Sequence, residues 1–146
     1  MLILGRSDRL DLPGLGLSAI HTKIDTGAYT SSLHCSGTKV VNGNLEFVLL
    51  DEEHPEFTGM KFTFKKYTQR EIKNSSGEAE LRYIIKTTVR IYGKVYRTEF
   101  SLSNRGSLKF PVLLGRRVLR KRFLIDVSQT NLSFKNNATF SNTSNP

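Results

Sequence analysis

The chain has 146 residues, a length that suits one compact domain and is too short for two independent lobes. Hydrophobic residues make up 38%, and no apolar run approaches the roughly 20 residues a membrane helix needs, so no helical span is expected. The formal net charge is +9, with basic residues scattered except around Arg116-Arg117 and Arg120-Lys121-Arg122, which reads either as solubility or as attraction to an acidic partner.

At the start of the chain, Met1-Leu2-Ile3-Leu4 runs directly into Gly5 and Arg6, without the length or flanks of a secretory signal. The single cysteine, Cys35, allows no internal disulfide and fits a reducing compartment, so a cytoplasmic protein is expected. Period-two segments rich in Val, Ile, Tyr, Phe and Thr then recur between turn signals. The first strand runs from Ile20 to Asp25 and ends at Gly27. A second, Asn44 to Leu50, follows the Asn42-Gly43 turn. Asp51 to Gly59, with Glu52, Glu53, His54, Pro55 and Glu56, reads as an exposed acidic loop. Met60 to Tyr67 alternates Met60, Phe62 and Phe64 against Lys61, Thr63 and Lys65. Next comes a long hairpin: Arg70 to Lys73, the turn Asn74-Ser75-Ser76-Gly77, and Glu80 to Tyr92. Gly93 turns the chain into Val95 to Leu102. A short helix is predicted from Arg116 to about Arg122, and a last strand from Phe123 to Phe134, broken near Ser128. The pattern is all-β, with one domain over residues 1–135. Residues 136–146 are Asn/Ser/Thr-rich, have little to bury and are expected to fray.

The segment with most chemistry is Lys23-Ile24-Asp25-Thr26-Gly27-Ala28. A strand delivers an aspartate, and a small hydroxyl residue and a glycine turn the chain at once. A carboxylate that must face a partner belongs at such a tip, and a glycine there lets backbone approach without a Cβ. The Thr26 hydroxyl is placed to bond across to an opposing loop. Asp and Gly are common in turns, so this element alone is weak. It gains weight from Val112-Leu113-Leu114-Gly115-Arg116, an apolar run closed by Gly-Arg and followed by the predicted helix.

Asp25-Thr26-Gly27-Ala28 together with Leu113-Leu114-Gly115-Arg116 resembles the retropepsin family of aspartic peptidases. With Thr30-Ser31-Ser32-Leu33-His34, Arg70, Arg82 and Pro111 added, the chain is similar to a bacterial retropepsin-like family, RimB-like, over most of its length. Its members often carry the label "ATP-dependent zinc protease", and some are linked to enzymes that add glutamate tails to a ribosomal protein. The resemblance implies a closed acid-protease barrel with one short helix after the Leu-Leu-Gly-Arg element. It implies catalysis by Asp25 on the Thr26-Gly27 loop, and a flap at Asn74, Ser75, Ser76 and Gly77. Ala28, Arg70, Arg82 and Arg116 join that flap as expected substrate contacts. Only one Asp-Thr-Gly is present, and Asp126-Val127-Ser128 lacks the glycine, so the implied partner is a second copy of the chain. The implied substrate is a peptide or protein, with acidic or glutamate-tailed chains among the candidates.

In one respect the sequence departs from viral retropepsins, which place an acid just after Asp-Thr-Gly-Ala, able to pair with the arginine of the Gly-Arg element. Here that position is Tyr29, so Arg116 either braces the loop through another acceptor, such as Asp126 or a backbone carbonyl, or meets a substrate carboxylate. Zinc and ATP are not expected. His21, His34, His54 and Cys35 lack metal-ligand spacing, and no Gly-rich loop with Gly-Lys-Ser/Thr is present. No cofactor is therefore assigned. Two other functions compete: a non-catalytic peptide-binding lobe of the same fold, and a basic β-barrel binding nucleic acid, disfavoured by the lack of any nucleic-acid motif.

Overall fold

In the computed structural model, residues 1–73, 76–104 and 110–136 are described. In chain order the strands are β1 (Leu2–Leu4), β2 (Ser7–Leu12), β3 (Leu17–Ile24), β4 (Ser31–Val41), β5 (Asn44–Leu49), β6 (Lys61–Phe64), β7 (Thr68–Lys73), β8 (Ala79–Ile91), β9 (Lys94–Ser103) and β10 (Val112–Leu114). The helix α1 (Arg116–Leu119) and β11 (Phe123–Ile125) follow. Strand boundaries track the period-two pattern, as in β9, where Phe100 and Leu102 face the core and Glu99, Ser101 and Ser103 face the other way. Turns fall where the backbone needs a positive φ, at Asn42-Gly43, Gly77 and Tyr92-Gly93.

Six strands close a barrel in the order β10-β3-β2-β8-β9-β4, and β4 pairs back onto β10. This is the closed retropepsin-like barrel that the resemblance implied. The interior is filled by Leu10, Leu12, Leu33, Ile85, Val89, Ile91, Phe100, Val112 and Leu114, each almost fully buried. Besides β10, β4 is long enough to serve two further neighbours. Its first residues run parallel to β9, and its second half bends at Gly37 and pairs with β5, which carries β6 on its far side. Phe47 stacks on Phe62 and Phe64 there, at ring separations of 5.5 and 5.9 Å. Among the described residues, β7 pairs with β8 alone.

The connection from β3 to β4 cannot be a simple hairpin, because β10 lies between them, parallel to β3 and antiparallel to β4. Residues 25–30 must therefore arch over the end of β10. That arch carries Asp25.

Three expectations are corrected. The stretch from Phe123 to Phe134 is not one strand: β11 ends at Ile125, and residues 132–136 are helical. Asp126 breaks it by accepting hydrogen bonds from both the N–H and the hydroxyl of Ser128, at 3.0 and 2.6 Å. The chain then turns back, so that the Ser133 and Phe134 N–H groups reach the buried Asp8 carboxylate. The helix after Gly115 is shorter than predicted, ending at Leu119. The first two strands, β1 and β2, were not anticipated; in β2, Asp8 occupies an inward position where an apolar residue is the usual signal. The tail from 137 onward lies outside the described residues, and among the described residues no helix is long and apolar enough to cross a membrane.

Candidate active site

The arch is built by backbone contacts between two loops. The Asp25 N–H donates to the Leu114 carbonyl at 2.8 Å, which continues the β3–β10 ladder one residue past the strand. The Arg116 and Arg117 N–H groups then donate to the Ala28 and Tyr29 carbonyls, at 2.8 and 3.0 Å. Gly115 lies between these two sets of bonds. Its φ of −96° is open to any residue, so glycine is required by contact rather than by conformation. A Cβ there would stand 2.6 Å from the Tyr29 carbonyl oxygen and 2.9 Å from that of Ala28. From below, the Ser31 hydroxyl, itself buried, accepts the Gly115 N–H at 3.0 Å.

On this base Asp25 stands half-buried, and its Oδ1 accepts the Gly27 N–H at 3.0 Å. The carboxylate is thereby aimed by the residue two positions on, while Thr26 and Gly27 are exposed at the crest. Arg116 is in the bracing role: Nη1 donates to the Thr26 carbonyl at 2.9 Å, and the guanidinium lies 5.9 Å from the Tyr29 ring centroid. Tyr29 thus supplies an aromatic face to that guanidinium.

Asp25 opens into a groove of about 420 Å³ between the arch and the β7–β8 hairpin. Ala28, Arg70 and Arg82 of the sequence-derived set line it, and Ile72, Lys73 and Leu113 join them. Leu113 alternates with Val112 and Leu114, so it floors the groove while they enter the core. Ser76 and Gly77 stand at the hairpin turn, Gly77 with φ of +86°, and Asn74 and Ser75 lie outside the described residues. Arg70 and Arg82 sit directly opposite each other on the ladder. Arg70 forks onto Glu99, with Nη2 at 3.0 Å from both carboxylate oxygens. Arg82 is nearly buried. It approaches Glu80 at 3.3 Å and Ser101 at 3.5 Å, and its Nε has no hydrogen-bond partner among the described residues.

Sequence reasoning assigned no site role to Ser31, Ser32, Ser101, Ser103 or Glu99. The alternation of Glu99, Ser101 and Ser103 with Phe100 and Leu102 was the available signal, since three polar residues on one strand face mark that face as lining something other than core. Ser103 Oγ is buried beside the groove and has no hydrogen-bond partner among the described residues. Among the described residues no three His, Cys, Asp or Glu side chains gather as a metal-binding set. His34 and Cys35 are both buried, and Cys35 behaves as a small apolar group whose thiol is pushed up by burial.

Residues 3–136 match the family described as RimB-like, retropepsin-like aspartic endopeptidase RimB. Curated relatives include a probable alpha-L-glutamate ligase of Desulfotalea psychrophila, 35% identical over 128 residues, covering 85% of this chain and 28% of that protein. Another, of Shewanella pealeana and bearing the same name, is 33% identical over 132 residues, covering 88% and 29%. The chain thus spans less than a third of the length of these relatives. A crystal structure of a Legionella pneumophila protein of unknown function superposes with a TM-score of 0.69 at 23% identity, covering 90% of this chain and 98% of that one, which is a likeness of fold.

Proposed function

The chain belongs to the RimB-like family of retropepsin-like aspartic endopeptidases, and from that membership we propose that it is an aspartic-type endopeptidase, active when two copies bring their Asp25 side chains face to face. The observation that carries this reading is the arch: a carboxylate aimed by the Gly27 N–H, braced by Arg116 and open to a groove of peptide dimensions.

Two carboxylates at hydrogen-bond distance cannot both ionise cheaply and hold one proton between them. The ionised member takes a proton from a water, which attacks the scissile carbonyl carbon. The protonated member donates to the carbonyl oxygen, giving a tetrahedral intermediate. The leaving nitrogen then takes the proton held by the aspartate that deprotonated the water, the C–N bond breaks as a diol hydroxyl returns its proton to the other aspartate, and an acid and an amine result. The β7–β8 hairpin closes over the groove and excludes water. Pairing is supported by the exposed apolar residues Leu2, Ile3, Leu124 and Val127. They lie on or beside β1 and β11, and the carbonyl of Arg6, just after β1, accepts the Ile24 N–H immediately before the catalytic aspartate.

An acidic peptide suits this groove. Lys73, exposed on the groove wall, offers a donor to a side-chain carboxylate, and the relatives named for glutamate ligation point to glutamate chemistry in the longer proteins. Cleavage of a glutamate-rich peptide by the parent, lost in Asp25→Asn with folding retained, is the expected result. Unchanged cleavage in Asp25→Asn would end the reading. Binding of the same peptide without cleavage by the parent would favour a non-catalytic lobe.

A further inference from the structure

Glu99 is a buried carboxylate on the outer face of β9, with 9% of its side chain exposed. Two arginines from two different elements converge on it: Arg70 from β7 and Arg117 from α1, the latter through Nη1 to Oε1. The same Arg117 donates its backbone N–H to Tyr29 at the foot of the catalytic arch. A continuous path of polar bonds therefore runs from the hairpin limb through Glu99 to the loop that carries Asp25.

β7 has little else to hold it. Among the described residues its only ladder partner is β8, and five of its six residues are exposed, so core packing contributes almost nothing to its position. Removing the charge of Glu99 would do more than delete bonds. Arg70 and Arg117 would then converge as like charges, with Lys86 directly across the ladder, and an attractive cluster would become a repulsive one.

We propose that Glu99 is a positioning residue that clamps the β7 limb of the hairpin to the base of the catalytic arch. Its description as the clamp of a flap rests on the peptidase reading of Asp25; the clamp itself does not.

Hydrogen exchange of the full chain tests it without requiring activity. In Glu99→Gln, amides of residues 68–73 should exchange about tenfold faster while those of β9 keep the parent's rate. Glu99→Asp, which keeps the charge, should restore part of the protection. Should Glu99→Gln fail to fold, the exposed Arg70→Met removes the other end of the same bond and should loosen the same amides. In peptide cleavage, Glu99→Gln should raise KM and leave kcat near the parent's, because a loosened hairpin weakens substrate capture while Asp25 is untouched. Unchanged exchange at 68–73, or acceleration spread evenly over β7, β8 and β9, overturns the clamp. If the parent cleaves nothing, the peptidase reading falls, and the exchange pattern alone decides whether Glu99 clamps β7.

Discussion

Gly115→Ala is the sharpest single test of the arch. The new methyl would meet the Tyr29 carbonyl oxygen at 2.6 Å, the carbon of that carbonyl at 2.8 Å and the Ala28 oxygen at 2.9 Å. All three are backbone atoms, so no side chain can swing aside. Relief means moving the arch off the end of β10, and the same two carbonyls accept the Arg116 and Arg117 N–H groups. Losing or stretching two hydrogen bonds costs about 1 kcal/mol each, and overpacking adds about 1–2 kcal/mol. The expected destabilisation is therefore about 3–4 kcal/mol, with no dihedral contribution because φ is −96°. For a domain of this size that corresponds to a fall in Tm of roughly 10–20 °C, read by calorimetry or circular dichroism. Gly27→Ala is the control: its Cβ would approach only the Asp25 side chain, at 3.2 Å, and should cost far less stability. A Gly115→Ala protein melting within about 2 °C of the parent would refute the claim that β10 supports the arch by direct backbone contact.

Ser31→Ala removes the acceptor of the buried Gly115 N–H, and urea unfolding should show a loss of about 1–3 kcal/mol with an unchanged m-value. Glu99 gives a pH signature. Burial pushes its carboxyl up, but Arg70 and Arg117 outweigh that and hold it below the usual glutamate range. A depressed folded-state pKa stabilises fully above the unfolded value and ceases to do so as pH falls through the folded one. The stability gap between the parent and Glu99→Gln, followed by urea unfolding, should therefore be widest near neutrality and close in acid. Leu2→Ser with Leu124→Ser, both exposed, should leave the fold within about 1 kcal/mol of the parent. In sedimentation the same pair should shift a dimer to monomer, and an unshifted dimer would place the interface elsewhere.

Much of the architecture was legible because hydrophobic alternation and turn chemistry agree. Asn42-Gly43 and Tyr92-Gly93 adopt positive φ where the pattern changes direction, and the long hairpin limb and β9 end within a residue of their predicted limits. The region after Phe123 was misread because apolar residues continue there while Asp126 and Asp8 capture backbone N–H groups and bend the chain. The Asp126 bend is local, made through Ser128, whereas the Asp8 acceptor comes from the other end of the chain and leaves no local period. At the candidate site the Asp25 and Gly115 elements were legible as motifs. The roles of Glu99 and Ser31 were not, because each matters through a partner from a distant element: Ser31 through Gly115, Glu99 through Arg70 and Arg117.

The proposed chemistry needs one aspartate from each of two chains, and subunit mixing tests that requirement directly. Increasing amounts of Asp25→Asn protein are added to a fixed amount of parent, and cleavage of a glutamate-rich peptide is followed after exchange. If each site is shared, activity falls to about half at equal amounts and towards zero in excess, as parent chains are drawn into inactive mixed pairs. Activity that stays constant at every ratio would mean that one chain carries a whole catalytic site, and would contradict a dyad shared between two copies.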